Sequence, residues 1–203
     1  MKSKLIIILC LFFLCTIQAC KTEKFYVDDL AKQYFGSFNE GSYWIYEDSV
    51  GTIDSTWVVS YEYGFTGTKP FPGTVDMHKE KFEYFKIQTN SSLPYNAGEY
   101  SSERTPEQTT YVTYLHKPSP FGTRFIAAIQ NNSFLHIDSD LIVTELVNYQ
   151  VNQYLFPKAI KVQESYDLSS EEYIIVVEGI GIVEKQFYGS KSPFKLKRYS
   201  IKN

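Results

Sequence analysis

The side chains that could do chemistry in this sequence are few and scattered. His78, His116 and His136 lie far apart and form no H-x-H or H-E-x-x-H pattern, so no metal site is expected from them. No G-x-S-x-G nucleophile elbow and no phosphate-cradling glycine loop is present. Gly179-Ile180-Gly181 is followed by no helical pattern and is not a dinucleotide fingerprint. Asp28-Asp29 and Glu171-Glu172 are adjacent carboxylates. In an extended chain they point to opposite sides, so they read as solvated charge and not as an acid/base pair. Asp76, Glu80 and Glu83 read as surface residues too. No catalytic residue, metal or cofactor is expected.

The remaining reactive type is cysteine, and all three, Cys10, Cys15 and Cys20, fall at the N-terminus. Lys2 and Lys4 precede an unbroken apolar run from Leu5 to Leu14, with smaller and polar residues from Thr16 to Ala19. That is the layout of a secretory signal peptide. The apolar stretch ends short of the ~20 residues a membrane-spanning helix needs. Ile17-Gln18-Ala19-Cys20 resembles the bacterial lipobox, with Gln18 larger than is usual there. The resemblance implies cleavage between Ala19 and Cys20 and acyl chains of the palmitate type carried on Cys20. Each buried acyl CH₂ contributes about 0.8 kcal/mol, so several chains hold a protein on a bilayer almost permanently. Nothing after Cys20 supplies a disulfide, a thiolate ligand or a thiol nucleophile, which suits a bacterial envelope protein.

Once Lys2 and Lys4 are removed, 18 basic residues stand against 23 acidic ones. No basic tract is present, so nucleic acid is not an expected partner. The acidic surplus serves solubility. The chain has 17 Tyr and 15 Phe but only two Trp and two Met. Aromatic and β-branched residues punctuated by Gly, Asn, Ser and Pro favour strands.

Taken in order, residues 1–19 form the signal peptide, 20–33 the lipidated Cys20 and a polar tether, and 34–203 one β domain. Gly41 to Ser49 reads as a first strand, Val50-Gly51-Thr52 as a turn, and the next run alternates. Trp57, Val59, Tyr61 and Tyr63 take one face there, and Thr56, Val58, Ser60 and Glu62 the other. Gly64 to Gly73 reads as a loop, and Phe82 to Ile87 as a strand whose phase slip between Tyr84 and Phe85 suggests a bulge or cover on both faces. Asn90 to Pro106 reads as a long loop, and 109–116 and 124–130 as strands with an Asn131-Asn132 turn. Residues 138–150 fit either period, with strand favoured, and 154–165 is a strand despite Pro157. Tyr173 to Phe187 is continuous, with Gly179 and Gly181 supplying curvature, and Phe194 to Ile201 closes the chain. The expected fold is all-β: a curved, mostly antiparallel sheet, or an open or half barrel, of about nine to eleven strands.

Two stretches are similar to a group of cell-envelope lipoproteins common in Bacteroidota. One is Gly41-Ser42-Tyr43-Trp44-Ile45-Tyr46 with Asp54-Ser55 after a short turn. The other runs from Tyr173 through Gly179-Ile180-Gly181-Ile182-Val183-Glu184 to Leu196-Lys197-Arg198-Tyr199, with Phe156 to Val162 before it. The resemblance implies a lipid-anchored β domain similar to the half barrels of lipoprotein carriers, and no activity. Asp54-Ser55-Thr56 also resembles the O-glycosylation site of that phylum, but a capped turn entering a strand is the preferred reading.

The expectation is therefore a non-enzymatic envelope lipoprotein, held to the outer membrane through acylated Cys20 and binding a hydrophobic ligand or an envelope protein. Trp44, Trp57 and Tyr61 are the candidate lining of an apolar pocket, with a packed sheet core as the plainer reading. The alternatives are a glycan hydrolase built on two converging carboxylates, and a structural subunit of an envelope complex.

Overall fold

The computed structural model describes residues 22–67, 79–93, 96–104, 109–116, 124–131, 133–135, 141–164, 172–187 and 190–202. The apolar leader with Ala19 and Cys20, Asp76, His78, the Pro118–Pro120 break, His136 and Glu171 lie outside the described residues, as does the His116 side chain.

The protein is all-β, as the alternation and aromatic content require. Strands β1 (Thr22–Phe25), β2 (Tyr43–Glu47), β3 (Ile53–Gly67), β4 (Lys79–Ser91) and β5 (Gly98–Arg104) are followed by β6 (Thr110–His116), β7 (Arg124–Gln130) and β8 (Ser133–Phe134). Then come β9 (Leu141–Val151), β10 (Tyr154–Glu164), β11 (Tyr173–Val177), β12 (Gly181–Gln186) and β13 (Phe194–Ser200). These form one sheet in the order β8-β7-β6-β5-β4-β3-β2-β13-β12-β11-β10-β9. β7 packs against β9 and β10, so the sheet curls into a nearly closed barrel. Every pairing on that path is antiparallel, while β1 adds to β4 in parallel.

The architecture matches the expectation, but the 13 strands among the described residues exceed it. The additions fall where polar composition suggested loops. β3 runs on to Gly67 and β4 to Ser91, and β5 occupies Gly98–Arg104 inside the supposed loop after Asn90. Their Ser, Glu and Gln side chains alternate with Tyr100 and Ser102, which point inward. A strand needs only one apolar face, so polar content is compatible with it.

Residues 22–33, expected within the polar tether, are structured together with the segment that runs on to Phe38. β1 is hydrogen-bonded to β4, and a short helix α1 (Asp29–Ala31) runs into a π-helical turn (Lys32–Gly36). Val27, Ala31, Tyr34, Phe35 and Phe38 from this segment are all buried in the main core. Their apolar side chains recur at helical spacing among charges, a pattern that composition hides. Buried carboxylates hold the segment in place. Glu83 accepts from the Val27 backbone N–H and from Lys32 Nζ, each at 2.8 Å, and Asp28 pairs with Arg104 at 2.6 Å.

The stretch Tyr173 to Phe187 does reverse. β11 and β12 pair antiparallel through Glu178-Gly179-Ile180. Gly179 and Gly181 have φ of 67° and 87°, which glycine adopts without the Cβ penalty. A Cβ on Gly181 would meet the Phe38 ring at 2.9 Å. The glycines therefore make a tight turn that the inserted N-terminal segment packs against, not a gentle coil. The turn is tied down by the Gly179 N–H donating to the Gln33 carbonyl at 2.8 Å.

Candidate functional site

Alternating inward residues of the strands fill the barrel. A chain of ring contacts crosses it: Phe38 to Trp44 at 5.2 Å, Phe38 to Tyr100 at 6.3 Å, Tyr100 to Tyr114 at 4.7 Å and Tyr114 to Phe187 at 6.5 Å. Phe125 joins Tyr114 and Phe187 at 6.3 and 6.2 Å. Edge-on and tilted contacts of this kind add to the apolar burial. Polar tips find partners in the same space: Trp44 Nε1 donates to the Ile180 carbonyl at 2.6 Å, and Tyr46 Oη to the Ile182 carbonyl at 2.9 Å.

Of the three aromatics expected to line a pocket, Trp44 is buried in this interior at 1% exposure, and Tyr61 packs against the core from its edge. Trp57 is 38% exposed on the opposite face, paired with Tyr43 while Trp44 pairs with Thr56. The inward residues of early β3 are Asp54, Thr56 and Val58, the reverse of the face that the aromatic count favours. The β3–β4 register then shifts between Val58 and Ser60. The extra residue turns the later half of β3 over, so that half-buried Tyr61 pairs with interior Ile87. The bulge sits in β3; at Tyr84–Phe85 the other expectation holds, a strand covered on both faces, with Phe82 and Phe85 both buried. Trp44, Trp57 and Tyr61 thus do not converge on one pocket.

The group that sequence reading missed lies inside the barrel. Lys185 Nζ stands 2.7 Å from Asp54 Oδ2 and 3.1 Å from Thr56 Oγ1, both partners being buried. Asp54 also accepts from Ser91 Oγ and, at 2.9 Å, from Asn96 Nδ2. The ammonium lies 4.2 Å from the Tyr46 ring centroid, in cation–π reach. Burial pushes the Asp54 carboxyl up, but the Lys185 charge and the surrounding donors outweigh it and hold the pKa below the usual value. Burial lowers Lys185, with Asp54 pulling it back. Every bond of this cluster is internal, so it joins strands and leaves no free nucleophile or base. Sequence carried no clear cue, since Lys185 stands in the polar run Glu184-Lys185-Gln186 and nothing local says which of these turns inward. Asp54-Ser55-Thr56 are the second to fourth residues of β3, where the chain enters the strand, and Asp54 and Thr56 are buried there.

A second carboxylate is held on the far side of β12. Glu184 accepts from Tyr149 Oη and Tyr173 Oη, each at 2.5 Å, and Lys195 lies 3.9 Å away. Near Lys195 a surface groove of about 250 Å³ is lined by Glu47, Asp48, Ser49, Asn152 and Pro193. Its acids are engaged, Glu47 with Lys197 at 2.8 Å and Asp48 with the backbone of its own turn. Among the described residues no group of three or more His, Cys, Asp or Glu could hold a metal, and no helix is long and apolar enough to cross a membrane. No protein-family model matches this chain, and it matches no curated protein and no solved structure.

Proposed function

We propose that this is a lipid-anchored envelope protein whose barrel is a rigid, non-catalytic body that binds a partner through its outer surface. The observation that carries the choice of surface over lumen is the ring chain from Trp44 through Phe38, Tyr100 and Tyr114 to Phe187, which occupies the space an acyl ligand would need. The anchor is supported by the apolar leader and the Ile17-Gln18-Ala19-Cys20 run just before β1. The non-catalytic reading is supported by the internal bonding of Asp54, Lys185, Glu83 and Glu184. The resemblance to envelope lipoproteins points the same way.

Labelling with an alkyne palmitate analogue in a bacterial host tests the anchor. The wild-type chain should take up label and partition with membranes, and Cys20→Ala should lose both. Unlabelled wild-type protein in the soluble fraction would refute the anchor. Native mass spectrometry of the domain from Lys21 onward tests the lumen. A retained lipid adduct lost on Trp44→Ala would reverse the choice of surface over lumen.

A further inference from the structure

The end of the β3–β4 hairpin carries a face unlike the rest of the barrel. Beyond the pairing of Tyr63 with the core residue Phe85, β3 runs on to Gly67, and β1 lies alongside β4. Tyr26, Tyr63 and Phe65 are 55%, 52% and 37% exposed there, large fractions for aromatic residues. Phe65 meets Tyr26 edge-on at 5.7 Å, and Lys24 Nζ sits 5.2 Å from the Phe65 ring centroid. The register puts Lys24 beside Lys81, and Phe65 across from Glu83. Side chains alternate faces along each strand, so Lys24, Tyr26, Tyr63, Phe65 and Lys81 share one side. Glu23, Glu80 and Glu62 fall on the other. Glu83, on the aromatic side, is buried and already bound to Lys32 and Tyr63. The face is thus aromatic with exposed cations, while its reverse carries Glu23, Glu62 and Glu80 beside the stacked Phe25–Phe82 pair, Tyr84 and Lys86.

Chain length decides what this face meets. Two residue steps separate Cys20 from Thr22, at most ~7 Å, and Thr22 is fixed beside Lys79. From Cys20 to Tyr26 the chain spans at most ~20 Å. A barrel acylated at Cys20 cannot swing freely, because the end of the β3–β4 hairpin is held against the bilayer.

We propose that the Tyr26, Tyr63 and Phe65 face, rimmed by Lys24 and Lys81, lies in the headgroup layer of an anionic bilayer. This rests on the lipid-anchored reading for its biological setting. Tyr and Phe seat at the apolar boundary with polar tips in water, and the lysines meet anionic headgroups. On the reverse face Glu23, Glu62 and Glu80 oppose contact with the same headgroups, which favours laying down the lysine-bearing side.

The test is flotation of the chain from Lys21, which contains every described element but not Cys20, so it does not depend on acylation. The probes are phosphatidylglycerol/phosphatidylethanolamine vesicles and phosphatidylcholine vesicles. The protein should float with the anionic vesicles and release at high salt. Lys24→Gln with Lys81→Gln should weaken binding on the order of 20-fold, at about five-fold per surface lysine. Tyr26→Ser with Phe65→Ser should abolish it. Trp57→Ser, on the outer face before the bulge, should leave it unchanged. Circular dichroism checks that each variant is folded, and the lysine pair, exposed on the surface, keeps the test decisive if the aromatic pair misfolds. Absence of flotation by the wild-type chain, or equal flotation of the lysine variant, would overturn the proposal. Failure of palmitate labelling at Cys20 would instead overturn the anchor while leaving flotation to be read separately.

Discussion

Lys185 and Asp54 meet at 2.7 Å inside the barrel, although 131 residues and three strand-to-strand steps separate them. The pair ties β12 to β3 across β13 and β2. Buried ion pairs stabilise little in net terms, because desolvation offsets the attraction. Removing one partner is different, since it strands a charge. Asp54→Asn should therefore destabilise the fold by about 3–5 kcal/mol, as should Lys185→Met by leaving the carboxylate unpaired. The double variant should recover much of that loss, which a double-mutant cycle in urea would read.

The same pair sets an acid limb. The Lys185 charge and the surrounding donors hold the folded Asp54 pKa below the ordinary carboxylate value of 3.8. Folding thus favours the ionised form, and its contribution is complete above the unfolded pKa and is lost as pH falls through the folded one. Wild-type stability should drop below about pH 4 more steeply than that of Asp54→Asn. Parallel acid limbs would exclude a role for the pair there.

Much of the fold was legible because it depends on local pattern. The β2–β3 hairpin follows from Val50-Gly51-Thr52, and the Asn131 turn from a residue that tolerates φ of 51°. Residues 141–151 resolved to strand as their Val content suggested. Pro157 is accommodated because its stretch of β10 lies before the pairing with β11 begins at Ile160. What was illegible depends on partners distant in sequence. The inward face of early β3 is chosen by Lys185, which makes Asp54 and Thr56 interior residues and sends Trp57 out. The Val59 bulge then reverses the phase, so one alternating run serves two faces. Residues 22–33 read as tether because the partners of their charges, Arg104 for Asp28 and Glu83 for Lys32, lie far along the chain.

Tyr63 offers a readout of the N-terminal docking. Its hydroxyl donates to Glu83, and this bond to a carboxylate pushes its pKa up to about 12. A raised folded pKa means that the contribution is present below the unfolded value near 10 and is lost as pH rises through about 12. The ¹³Cζ resonance of Tyr63 should stay that of a phenol at pH 11 in the wild type. In Glu83→Gln it should titrate nearer 10. An unchanged midpoint would show that Glu83 does not govern Tyr63.

Gly179 and Gly181 should respond differently to alanine. Both have positive φ, so each substitution brings strain of about 1–2 kcal/mol. A Cβ at Gly179 meets nothing within 4 Å, whereas at Gly181 it strikes Phe38 at 2.9 Å. Gly181→Ala should cost more, and Phe38→Leu in that background should recover part of the difference. Equal melting temperatures for the two single variants would refute the close approach.

Arg104 and Asp28 hold residues 22–38 to the start of β6, since Thr110 Oγ1 lies 3.1 Å from Arg104 Nη1 and donates to Asp28 at 3.3 Å. The pair is almost fully covered, its side chains 12% and 9% exposed. Arg104→Met removes the 2.6 Å ion pair of Asp28, and breaking a largely buried pair from one side costs about 3 kcal/mol or more. The loss should be local before it is global, because the segment reaches the barrel through few strand hydrogen bonds, those of β1 with β4. Amide exchange should therefore accelerate at Val27 and through the π-helical turn while Val112 and Ile129 stay protected. Limited proteolysis should cut first between Tyr26 and Phe38. If exchange instead rose uniformly across the barrel, residues 22–38 would be an inseparable part of one cooperative unit and not a docked segment.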